Sequence, residues 1–145
     1  MKLKMGLAAI AFVVGATGFA MANQDIIDLR KQIMKTNGQA AKVSGMMLQG
    51  QIPFDATVAA AAASSIAGSN AVFADFFPEG TETGDTKARD TIWSDPEGFA
   101  AASQATVVAA EAAAAAAADG PEAFGAAFQA LGATCGACHE DYRVN

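Results

Sequence analysis

The sequence predicts an all-α domain, an antiparallel up-down-up-down four-helix bundle. Three observations carry that prediction. Apolar residues recur at three- and four-residue spacing in four segments, and no segment alternates with period two. Proline, glycine and aspartate cluster between those segments, as stop and start signals do. The connections run short, medium, short, so consecutive helices lie antiparallel.

The first 22 residues stand apart from this pattern. Lys2 and Lys4 form a positive start, residues 7–19 an apolar stretch, and Ala20-Met21-Ala22 a small-residue cleavage site. Residues 1–22 are therefore expected to be a signal peptide, and residues 23–145 one domain. The apolar stretch is short and glycine-bearing for a membrane span, so no membrane association is expected after cleavage. Losing Lys2 and Lys4 moves the formal charge from −6 to −8. A chain that acidic lacks the basic footprint of a nucleic-acid binder. It permits electrostatic docking onto a basic redox partner protein.

The first helix is expected over residues 23–50. Asp25 and Asp28 favour its N-terminus, and Ile26, Leu29, Ile33, Ala40, Val43 and Met47 trace an apolar stripe. Gly38 and Gly45 on this helix allow close approach of a flat ligand or a neighbouring helix. Gly50-Gln51-Ile52-Pro53 is a stop, and Asp55 is the N-cap of a second helix over 56–76. Pro78-Glu79-Gly80 ends that helix. Residues 81–95 form a polar loop longer than most helix connections, and it carries Ile92 and the only tryptophan, Trp93, as a packing anchor. Asp95-Pro96-Glu97 starts a third helix, over 99–118, which closes on consecutive alanines. After the turn at residues 119–122, a fourth helix runs over 122–143. Its residues Phe124, Phe128, Leu131, Cys135, Cys138 and Tyr142 step by four and three along one face.

That last face carries the chemistry. Cys135-Gly136-Ala137-Cys138-His139 holds the only two cysteines and the only histidine of the chain. C-x-x-C-H is the attachment pattern of c-type haem, in which two thiols bond the porphyrin and the adjacent imidazole coordinates iron. The rivals are a redox dithiol, a disulfide and half a zinc site. A thioredoxin-like dithiol needs a preceding strand, and none is predicted. Zinc needs four ligands, whereas this chain offers three residues of Cys or His type. Haem c is favoured over all three. Export agrees with it, because haem c is attached outside the cytoplasm.

The layout resembles the class II cytochromes c, cytochrome c′ and its relatives. Four helices with C-x-x-C-H in the last one carry the resemblance, together with Leu29-Arg30-Lys31-Gln32-Ile33-Met34, Ile92-Trp93-Ser94-Asp95 and the run Gly132 onward to Arg143. The resemblance implies one covalent haem c, with Cys135 and Cys138 as thioethers and His139 as proximal iron ligand. It puts Met34 at the distal position and Arg30 against a haem propionate, and it lets Arg143 cover the proximal face. Lys31 stands where the family often has glutamine. Met46 is about 18 Å along the helix from Met34, so both cannot reach one iron.

Two functions follow from what occupies the sixth iron position. With Met34 bound, as the run Met34-Lys35-Thr36-Asn37-Gly38 suggests by its likeness to the cytochrome c-556 branch, the protein transfers single electrons between redox partner proteins in the periplasm. With that position free, it is a five-coordinate cytochrome c′ that binds NO or CO. Methionine ligation is the leading expectation. No acid–base pair near the motif asks for substrate-level catalysis, so no enzyme is expected. The resemblance also allows a homodimer through the first two helices.

Overall fold

The structure is a computed structural model that describes the backbone of residues 14–144 and the side chains of residues 23–144. The expected signal peptide, residues 1–22, lies outside the described residues except for backbone from Val14 onward. Four long helices, α1 (Val14–Leu48), α2 (Ala56–Ala71), α4 (Pro96–Ala116) and α5 (Pro121–Tyr142), form the bundle. A one-turn helix, α3 (Thr91–Ser94), sits in the long connection between α2 and α4. Among the described residues there is no strand, only one isolated antiparallel bridge between Ala88 and Arg143.

The helix ends follow local chemistry. Gly50, at φ +69°, ends α1, with its own N–H donating to the Met47 carbonyl and that of Gln51 to the Met46 carbonyl. This is the paired bonding that a left-handed residue permits at a helix C-terminus. Asp55 caps α2 by accepting from the N–H groups of Thr57 (2.8 Å) and Val58 (3.0 Å). Asp95 does the same for α4, accepting from Gly98 N–H at 3.1 Å, with Pro96 in the first turn.

One boundary differs from the expectation. The helix anticipated to residue 76 stops at Ala71, and Phe73–Phe76 continues as a 3₁₀ turn. Asn70 explains the break. Its side chain donates to the Ile66 carbonyl, and its own carbonyl accepts from Ser103 Oγ at 2.8 Å. A side chain from α4 thus takes the carbonyl that another helical turn would use. The break swings Phe73 and Phe77 onto Phe99, with ring centroids 6.1 and 4.8 Å apart.

Packing divides the bundle lengthwise. One end is filled by Met47, Ala59, Ala63, Ile66, Ala67, Val107, Ala110, Ala113, Ala117, Phe124 and Leu131, all buried. Alanine at the contacts lets α2, α4 and α5 approach closely, which is why α4, apolar and long enough by composition to cross a membrane, lies as a bundle helix here. At the other end a smaller cluster of Phe73, Ile92 and Phe99 packs against Met34, Phe77, Trp93, Cys138 and Tyr142. There α1 stands off from α5, and a cavity of about 660 Å³ opens between them.

Candidate haem-binding site

The cavity is bounded by α1 and α5, and the sequence motif lines it. Cys135, Cys138 and His139 all face it from α5. They stand at i, i+3 and i+4, so the helical repeat brings them to one face. Both thiols are partly buried, whereas the His139 ring is more open. Burial pushes both thiols up from their ordinary value of 9.0, so they are held protonated near neutral pH. Asp141 adds to that effect at Cys138. The His139 pKa is held below 6.5, first by loss of water around it and then by Arg143. The imidazole is therefore neutral, the form that binds iron.

Met34 lines the same cavity from α1. Met47, by contrast, is buried in the core at the opposite end, and Met46 does not line the cavity. Asn37 and Gly38, one turn beyond Met34, continue this wall, and Asn37 accepts from Ser69 Oγ of α2 at 2.7 Å.

Arg30 also borders the cavity, but it has an occupation that its sequence position did not reveal. Nε donates to the Phe76 carbonyl, Nη1 to the Thr81 carbonyl at 3.1 Å, and Nη2 to Thr81 Oγ1. Its guanidinium lies 4.0 Å from the Phe77 ring centroid and 5.6 Å from that of Trp93. Carbonyls at the end of the α2 segment need donors, and a planar fork supplies several at once. Burial lowers the Arg30 pKa to about 10, opposed by Glu82, so the residue stays charged at neutral pH. Trp93 acts as the expected anchor, donating from Nε1 to the Pro78 carbonyl at 3.2 Å.

A strap closes the motif end of the cavity. Thr86, Lys87 and Ala88 line it, and this loop is fastened to the end of α5. Arg89 N–H donates to the Tyr142 carbonyl (3.0 Å), Val144 N–H to the Lys87 carbonyl (2.8 Å), and Thr91 Oγ1 to the Asp141 carbonyl (3.0 Å). Gly84, at φ +135°, brings the loop against α1, where a Cβ would stand 2.8 Å from Ile27 Cδ1. Such a backbone conformation and such a contact both require glycine. Phe128 lies on the apolar face expected of the last helix, but nothing in the sequence linked residues 86–91 to the chain end.

The residues present fit a haem. The cavity volume lies in the range of about 300–1,000 Å³ usual for cofactor pockets. Its walls are largely aromatic and aliphatic, with two thiols and a neutral imidazole on one side and a thioether on the other. A Cβ at Gly38 or at Gly132, both on the walls, would meet nothing within 4 Å, so the space beside them is free for a flat guest. Among the described residues no three His, Cys, Asp or Glu side chains converge as a metal cage.

Comparisons with known proteins agree with this geometry. The family profile described as Cytochrome C′ matches residues 25–143. A cytochrome c′ of Rhodopseudomonas palustris is 37% identical over 144 residues, covering 98% of this chain and 98% of its own. A cytochrome c-556 of Agrobacterium fabrum is 33% identical over 144 residues, covering 99% and 97%. Among solved structures, a nitric oxide complex of a mutant cytochrome c prime from Alcaligenes xylosoxidans superposes with a TM-score of 0.76 at 31% identity, covering 85% of this chain and 97% of that one.

Proposed function

The chain belongs to the cytochrome c′ family, whose members carry covalently bound haem c, and from that premise we propose that it is a periplasmic monohaem cytochrome that takes up small neutral gases such as NO or CO. The observation that carries this reading is the likeness to cytochrome c′, by the family match over residues 25–143 and by a relative 37% identical over 144 residues. The nitric oxide complex of a structural neighbour supports it. The export signal expected at residues 1–22 supports the compartment.

Haem supplies an iron that holds an uncharged diatomic ligand and alternates between ferrous and ferric states. The protein does the rest. Cys135 and Cys138 fix the group by thioether bonds, and neutral His139 offers a nitrogen without first losing a proton. Phe73, Phe77, Phe99 and Phe128 exclude water, which keeps charged competitors out. Arg30 meets a propionate with whatever guanidinium hydrogens the Phe76–Thr81 loop leaves to it.

A second reading has its own observation. Met34 lines the α1 wall, and a cytochrome c-556 is among the relatives. With its sulfur on the iron the protein would be a low-spin electron carrier. The optical spectrum of the reduced protein separates the two. A high-spin form that binds CO promptly is expected, and Met34→Ala should then leave the spin state as it was. A low-spin spectrum that Met34→Ala converts to high-spin would replace gas uptake by methionine-ligated electron transfer.

A further inference from the structure

The cavity is lined by charge opposite in sign to the protein. After the signal segment the chain has seven Lys and Arg against fifteen Asp and Glu. Five of those seven cations, Arg30, Lys31, Lys35, Lys87 and Arg143, line the cavity, and of the fifteen carboxylates only Asp85 does. Arg30 is buried and held by loop carbonyls, so the cations left at the mouth are Lys31, Lys35, Lys87 and Arg143, from α1, the strap and the end of α5. Lys31 is already engaged, 2.6 Å from Asp85 and 3.5 Å from Asp28. Among the described residues Lys35, Lys87 and Arg143 make no ion pair.

We propose that this mouth is the docking surface for a redox protein that presents carboxylates. Net charge alone favours a basic partner; the lining charge favours an acidic one. Among the described residues Lys35, Lys87 and Arg143 stay outside any ion pair at the mouth of a chain whose formal charge after the signal segment is −8. Charges farther away than about 8 Å are screened at physiological salt, so a partner in contact meets the collar rather than the average. Asp141, near enough to push the Cys138 thiol up, is not among the lining residues. The inference does not depend on which ligand takes the sixth position. Iron must be ferrous to take CO, and an electron carrier must be reduced and oxidised, so CO uptake and electron transfer both need an electron to cross at this cavity. It rests only on haem being bound there.

The test uses the reduced holoprotein and hexacyanoferrate(III) as an anionic probe. One electron passes from ferrous haem to the probe, leaving ferric haem and hexacyanoferrate(II). Its second-order rate is expected to fall about threefold or more as ionic strength rises from about 0.01 to 0.3 M, while a cationic cobalt(III) phenanthroline complex shows no such fall. Lys35→Glu with Lys87→Glu should reverse the hexacyanoferrate slope. Lys42→Glu, which removes a lysine outside the cavity, should leave it. The milder pair Lys35→Gln and Lys87→Gln should flatten the slope, and it serves if the reversed pair takes up no haem. A rate that rises with salt in the unmodified protein would overturn the docking surface, and so would a K42E change as large as that of the cavity pair. CO uptake on the same samples involves no charge. Its absence would count against gas binding while the salt slopes still reported the collar.

Discussion

The two ends of the bundle solve the same packing problem in opposite ways. At one end Ala59, Ala63, Ala110, Ala113 and Ala117, each at most 1% exposed, bring helix backbones together until Phe124 and Leu131 complete the core. At the other, rings hold the helices apart: Phe73, Phe77, Phe99 and Tyr142 pack edge to face or tilted, with centroids 4.8–6.1 Å apart. Small residues close an interface onto itself, whereas rings at helix separation leave a slot with apolar walls. Residue size along α2, α4 and the segment between them thus decides where the protein is self-sufficient and where it awaits a guest. Phe124 lies in the closed half and Cys138 in the open one, on the same helical face.

The sharpest way to break this contrast is to deny the open end its guest. Cys135→Ser with Cys138→Ser should abolish covalent haem attachment, seen as loss of haem on a denaturing gel. Amide exchange should then accelerate around Phe73, Phe99 and the strap, while α4 near Ala110 stays protected. Uniform acceleration would mean that both ends form one cooperative unit. Next in size, Phe124→Ala should cost about 3–5 kcal/mol of stability in denaturant titrations, as a large buried ring does. Because Phe124 sits in the closed half, the haem absorption bands should not shift in the fraction that stays folded. The smallest effect is a pH dependence of the haem-free chain with its cysteines intact. His139 binds a proton less readily folded than unfolded, so stability should fall as pH drops below 6.5. The thiols are raised when folded, so the unfolded state loses their protons first and stability should fall as pH rises through 9.0. His139, Cys135 and Cys138 all belong to the open end, and urea midpoints across that range would show whether it alone titrates.

Much of this was legible in the residues. Helix number, the capping roles of Asp55 and Asp95 and the single face of α5 follow from spacing and local chemistry, which is where short-range physics dominates. The motif pointed to haem c because no other cysteine or histidine exists to complete a metal site and no strand is predicted before it. What could not be read depended on distant pairs. The truncation of α2 needs Ser103 of α4 to take the Asn70 carbonyl. Arg30 was expected against a haem propionate, and its hold on the Phe76 and Thr81 carbonyls depends on a loop 46 to 51 residues away. The collar was hidden for a similar reason: Lys35, Lys87 and Arg143 are scattered along the chain, and total charge averaged them away.

The strap has a consequence in time as well as in space. Synthesis proceeds from the N-terminus, so early segments are available before late ones. Met34, Phe73 and Phe99 therefore emerge before Cys135 does, and the Lys87 carbonyl waits for the N–H of Val144. Pairing of the Thr86–Arg89 stretch with the end of α5 is therefore among the last contacts of the cavity that the growing chain can make.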